Sequence, residues 1–169
     1  MHKRLILCGP TCAGKNFIRD KFIKKGYSAD CSYTSREPRR GSMYVNSETD
    51  GIDYKFIGTP RFMEMIAERK FYEWVEYNGN FYGTGLDEWN QCDIFIMETD
   101  GIKHIEPKDR KDCLIIYINT PQSIRVKRME ERGWNEKTIH DRLFTDLKKF
   151  KDFKDFDFEI ASYEKDTVC

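Results

Sequence analysis

A short segment near the amino terminus has the residue types and spacing of a phosphate grip. Gly9-Pro-Thr-Cys-Ala-Gly14-Lys15 matches G-x-x-x-x-G-K, follows the apolar run Arg4-Leu-Ile-Leu-Cys8 and precedes a segment of helical period. Glycines there let the backbone curl until its N–H groups point at phosphate oxygens, and Lys15 supplies a cation for the β and γ phosphates. The candidate ATP-binding set is therefore Gly9, Pro10, Thr11, Cys12, Ala13, Gly14, Lys15 and Asn16. Asn16 stands where such loops carry Ser or Thr for magnesium, so metal handling is expected to change. Its amide oxygen can still meet a hard cation directly or through water.

A second constellation lies between Ser32 and Thr84: Ser32-Tyr-Thr-Ser-Arg36-Glu-Pro-Arg39-Arg40-Gly41, Gly51-Ile-Asp-Tyr54-Lys-Phe56, Phe71-Tyr-Glu73-Trp74 and Gly79-Asn-Phe-Tyr82-Gly83-Thr84. In this order the four segments resemble the guanylate kinase family, and the resemblance extends over nearly the whole chain. A nucleoside monophosphate offers a dianion at one end and a base edge at the other. Arg36 and Arg39 can grip the dianion with forked donors, and Tyr54 and Tyr82 can add hydroxyls. Guanine presents adjacent N1–H and N2–H donors that one carboxylate can accept together, whereas adenine's unprotonated N1 would face it badly. The resemblance makes Glu73 that reader and gives Ser32 and Thr84 further base contacts, Thr84 as a donor to O6. Taken singly, the arginines could be a solvated loop, the tyrosines core packing, and Ser32 and Thr84 turn residues.

Ile94-Phe-Ile-Met97-Glu98-Thr99-Asp100 ends a buried strand in carboxylates, where ligands of open α/β sheets collect. By the resemblance Glu98 is a second guanine contact and Asp100 lies near the magnesium water shell, although the family spacing is shortened. Arg128, Arg132 and Arg142 match the family's lid, and converging arginines suit phosphoryl transfer, which needs charge neutralised around the moving group. The expected catalytic set is Lys15, Arg36, Arg39, Arg128, Arg132 and Arg142, with Asn16 and Asp100 as metal contacts and Mg2+ entering with ATP. Arg125 reads as the charged outer face of an amphipathic helix. Ser162 stands weakly where the family often has an adenine-touching asparagine.

These residues require an α/β framework. The runs at 4–8, 94–97 and 114–118 are non-alternating, as for strands covered on both faces, and helices should occupy 15–25, the stretch after Thr120-Pro121 to about 132, and a long segment capped by Asn135. In that last helix Ile139, Leu143, Leu147 and Phe150 form the apolar stripe, and 156–160 can be a closing strand. The expectation is one P-loop NTPase domain over 1–169, with three layers and a five-stranded, mostly parallel central sheet. Its core would be 1–31, 85–120 and 143–169, with a β-rich acceptor-binding lobe at about 32–84 and a helical lid at about 121–142.

Lys plus Arg and Asp plus Glu both count 29 among 169 residues, which gives no bulk pull toward nucleic acid or membrane. The sequence reads as cytoplasmic, a monomer or homodimer, its cysteines thiols rather than a metal knuckle. The implied reaction joins ATP and GMP or dGMP. Two other readings stand beside it: a kinase of the same fold acting on a sugar bisphosphate, which would not need Glu73, and a catalytically weakened module that binds phosphorylated peptides, which would not need Lys15.

Overall fold

The computed structural model describes residues 3–39, 47–77 and 79–161. Arg40, positions 42–46 of the long loop, Asn78 and Ser162 lie outside the described residues. The chain forms β1 (Arg4–Cys8) and α1 (Lys15–Ile23), then β2 (Tyr33–Thr34), β3 (Lys55–Phe56), α2 (Gly58–Ala67), β4 (Phe71–Tyr77) and β5 (Asn80–Gly85). It continues through α3 (Leu86–Gln91), β6 (Ile94–Ile96), α4 (Thr99–Lys103), α5 (Pro107–Arg110), β7 (Cys113–Ile118), α6 (Gln122–Glu131), α7 (Glu136–Phe150) and β8 (Phe158–Ile160).

The central sheet has the order β6-β1-β7-β8, every pairing parallel. Ile6 and Cys8 pack on one face with Trp89, Phe95 and Ile102, while Leu7 packs on the other with Ala13, Ile18, Ile94 and Ile118. Burial on both faces explains why these runs do not alternate, and helices on each side complete the three layers. The sequence predicts a fifth strand. Among the described residues its place at the β6 edge holds a single bridge, Ala29↔Ile94. The chain is pinned there by Ser28, whose N–H and hydroxyl donate to Asp93 at 2.8 and 2.6 Å, and then leaves for the lobe.

The lobe carries its own sheet, ordered β3-β2-β5-β4, with β4 and β5 an antiparallel hairpin turning at Gly79 (φ 70°). It also contains α2, which the aromatic pattern of the sequence obscured. Phe62 and Met65 of α2 are buried at helical spacing, and Phe62 stacks on Phe71 at 4.4 Å between centroids. Pro121 sits at the N-cap of α6, and Thr120 donates its hydroxyl to Ala13 O at 2.7 Å. One further expectation needs correction. In α7, Asn135 does cap, accepting from Thr138 N–H at 2.8 Å, but Leu147 is 64% exposed while Asp146 is 7% exposed. The inward face of α7 is thus partly charged: Asp146 lies against the phosphate loop, while Ile139 and Leu143 pack with Cys12 and Met129.

Candidate active site

The loop after β1 curls as its sequence requires. A Cβ on Gly9 would lie 2.7 Å from Ile118 O, and Gly14 has φ 103°, so glycine is needed at both positions. Gly14 caps α1 without a side-chain bond, which leaves the first N–H groups of that helix for an anion. Lys15 Nζ folds back onto Gly9 O (2.5 Å) and Pro10 O (3.0 Å), at the mouth of the same curl. Asn16 is exposed on the first turn.

Across from the loop, the lobe brings Arg36, Arg39, Tyr54 and Tyr82 together. Arg36 lies over the Tyr54 ring at 5.1 Å, and Tyr54 and Tyr82 meet edge-on at 5.9 Å. The sequence did not single out Glu48, which organises this group. Its carboxylate accepts from Arg36 Nη1 and Nη2 at 2.6 and 2.7 Å and from Arg39 N–H at 2.9 Å, while Arg36 Nε stays buried without a partner. Burial pushes the Tyr54 hydroxyl up to about 12, helped by Tyr82, so it stays a donor at neutral pH.

Glu73 is 9% exposed on β4, where a bulge between Phe71 and Glu73 resets the register and turns its side chain inward. Oε1 accepts from the Thr84 hydroxyl at 2.9 Å; Oε2 is buried with no partner and lies 3.1 Å from where a Cβ on Gly101 would be. Oε2 therefore lacks a protein donor and abuts Gly101, where a side chain would crowd it. Burial, reinforced by the charge of Asp30, raises the Glu73 carboxyl to about 7 against the Thr84 hydrogen bond. The Thr84 hydroxyl donates to Glu73 in this structure and orients the carboxylate. Ser32 donates to Asp30 Oδ2 at 2.6 Å, and Asp30 Oδ1 is a second buried orphan that sequence reading missed.

The acids after β6 do not form a bare cluster. Glu98 is exposed and accepts from Lys149 at 2.5 Å, and Asp100 pairs with Lys103 at 2.8 Å. Among the described residues no group of three or more His, Cys, Asp or Glu could hold a metal. Asn16 and Asp100 carry hard oxygens of the kind that meet a magnesium ion through water. Of the lid arginines, Arg128 donates to Cys12 O at 3.0 Å and Arg132 is exposed. Arg142 is drawn aside to the Tyr77 hydroxyl at 3.1 Å, beside Lys149 over the same ring at 4.1 Å. Arg125 is not on an outer face: it is 8% exposed and paired with Asp146 at 2.7 Å.

A parallel sheet whose first strand ends in a lysine-bearing phosphate loop, opposite a lobe with paired arginines and a buried carboxylate, defines a P-loop phosphotransferase of the nucleoside monophosphate kinase class. The guanylate kinase family model matches residues 1–169, and the chain belongs to that family. The guanylate kinase of Prochlorococcus marinus (strain MIT 9312) is 30% identical over 176 residues, covering 99% of this chain and 92% of that protein. That of Wolinella succinogenes is 32% identical over 169 residues, covering 94% and 75%. The crystal structure of guanylate kinase from Anaplasma phagocytophilum shares the fold, with a TM-score of 0.69 at 20% identity over 96% of this chain and 78% of that one. Among the described residues no helix is long and apolar enough to cross a membrane.

Proposed function

We propose that this protein transfers the γ-phosphoryl group of ATP to GMP or dGMP, giving ADP and the nucleoside diphosphate. The observation that carries the reading is Glu73, a buried carboxylate whose Oε2 has no protein partner. Such an acceptor suits the paired N–H edge of guanine, and a buried acceptor left unpaired disfavours any base that cannot donate to it. Arg36, Arg39, Tyr54 and Tyr82 would hold the acceptor phosphate, and the loop amides with Lys15 the donor phosphates. Arg128, Arg132 and Arg142 would gather charge around the moving group, Arg142 after leaving Tyr77. Magnesium bound to the donor phosphates would neutralise developing charge, with Asn16 and Asp100 within reach of its water shell. The acceptor is already a dianion, so no general base is needed.

The sugar-bisphosphate reading gives no use to Glu73, and the peptide-binding reading gives none to the Lys15 loop; neither accounts for both. Coupled ADP release across GMP, dGMP, AMP, CMP and UMP tests the proposal. GMP and dGMP are expected to turn over far faster than the rest, and equal turnover of all five, or none, would refute it.

A further inference from the structure

Both hydrogen-bond donors of Thr11, within the phosphate loop, end on one carboxylate. Its N–H reaches Asp146 Oδ2 at 3.0 Å and its hydroxyl reaches Asp146 Oδ1 at 3.1 Å, across 135 positions of sequence. Asp146 is in turn held by Arg125, which also donates to Thr120 O at 3.2 Å and to Thr11 O at 3.4 Å. Two neighbouring tethers complete the arrangement: Arg128 to Cys12 O at 3.0 Å and the Thr120 hydroxyl to Ala13 O at 2.7 Å. The carbonyls of Thr11, Cys12 and Ala13 are therefore all held by residues in or just before α6.

In a planar trans peptide the C=O and the following N–H point in opposite directions. Fixing those three carbonyls thus fixes where the N–H groups of Cys12, Ala13 and Gly14 point; Ala13 N–H returns to Pro10 O at 3.1 Å, leaving the other two to be aimed. Cys12 lies in the left-handed region, φ 61°, which a side chain disfavours and which persists only when surrounding contacts enforce it. A buried ion pair contributes little to stability compared with apolar packing, so Arg125 and Asp146 call for another role.

We infer that Arg125 and Asp146 are positioning residues that hold the phosphate loop in its anion-ready curl and tie it to α6 and α7. Neither touches the nucleotide; both act through Thr11. The inference rests on the loop from Gly9 to Lys15 being the ATP site.

Removing one partner would strand a buried charge, so the pair is replaced together, Arg125→Met with Asp146→Leu. The double variant is expected to melt near the parent temperature while the Kd and KM for ATP rise about tenfold, as for loss of one hydrogen bond's worth of alignment. Its Kd for GMP, measured without ATP, should rise clearly less than that for ATP, since α7 reaches the lobe through Arg142 and Tyr77 and not through Asp146 itself. An unchanged Kd for ATP would overturn the inference, and so would an equal loss for ATP and GMP. Should the double variant not fold, Asp146→Asn keeps the volume and one acceptor oxygen; it should weaken ATP binding about threefold, and parental ATP affinity would overturn the inference equally. Lys15→Ala separates the two levels: if it leaves ATP binding intact, the loop is not the ATP site. If it abolishes ATP binding while the Arg125 and Asp146 variants bind normally, only the positioning role falls.

Discussion

Glu73→Gln is the substitution that bears most directly on acceptor choice. In the parent, Oε1 is occupied by the Thr84 hydroxyl at 2.9 Å and Oε2 waits without a partner, so the carboxylate can accept from the base without breaking any bond. A glutamine that keeps its oxygen on Thr84 turns an amide N–H2 toward guanine's own N–H donors. The opposite rotamer restores an acceptor but leaves it uncharged. Losing a charge-assisted bond in a site 9% exposed, with a donor facing a donor in the worse rotamer, costs about 2 to 4 kcal/mol. That converts to a KM for GMP raised roughly 30- to 700-fold, with little change in the KM for AMP. The assay is ADP release at saturating ATP, with GMP and AMP as competing acceptors. A Glu73→Gln enzyme with the parent's ratio of kcat/KM for GMP over AMP would refute the assignment of guanine selection to this carboxylate.

Because burial lifts Glu73 from 4.5 to about 7, the folded chain retains a proton there that the unfolded chain has lost. Its contribution to stability is therefore greatest below about 4.5 and declines as pH rises through about 7, while GMP affinity, which needs the ionised form, rises up to tenfold per unit over the same window. Calorimetric titration between about pH 5.5 and about pH 8 should show that climb in the parent and a shallower one in Glu73→Gln, where the GMP phosphate, with its second pKa at about 6, still titrates. Asn16→Ser should lower the magnesium concentration needed for half-maximal rate; coincident metal titrations would take Asn16 out of the metal environment. Glu48→Gln should raise the KM for GMP roughly three- to tenfold, because it releases the fork that aims Arg36. A lower KM would mean that Glu48 competes with the acceptor phosphate instead.

What was legible in the sequence was what is local. The Gly9 to Lys15 curl is dictated by glycines whose φ values or close approaches exclude side chains, whereas the bond between Glu73 and Thr84, set by the register of one hairpin, was not anticipated. Asn135 announced its helix because a cap needs only three residues to act. Glu48, Asp30 and Asp146 were not legible, since each acquires its role from a group elsewhere in the chain or from burial that composition does not reveal. Arg125 shows the limit most clearly: helical periodicity assigns it to a polar face, and only the approach of α7 turns that face inward. The helix α2 was missed because its buried Phe62 and Met65 sit among aromatics that also suit strands.

Arg142, Asp146 and Lys149 lie along one side of α7, spaced over about 10 Å of a single rigid rod. Asp146 grips the donor loop, Lys149 meets the acid that follows β6, and Arg142 rests on the tip of the acceptor hairpin through Tyr77. A rod clamped at these three places cannot roll or slide to suit one ligand without being felt by the others. Occupancy of either nucleotide should therefore alter the grip on its neighbour, and by thermodynamic reciprocity the influence must run equally in both directions.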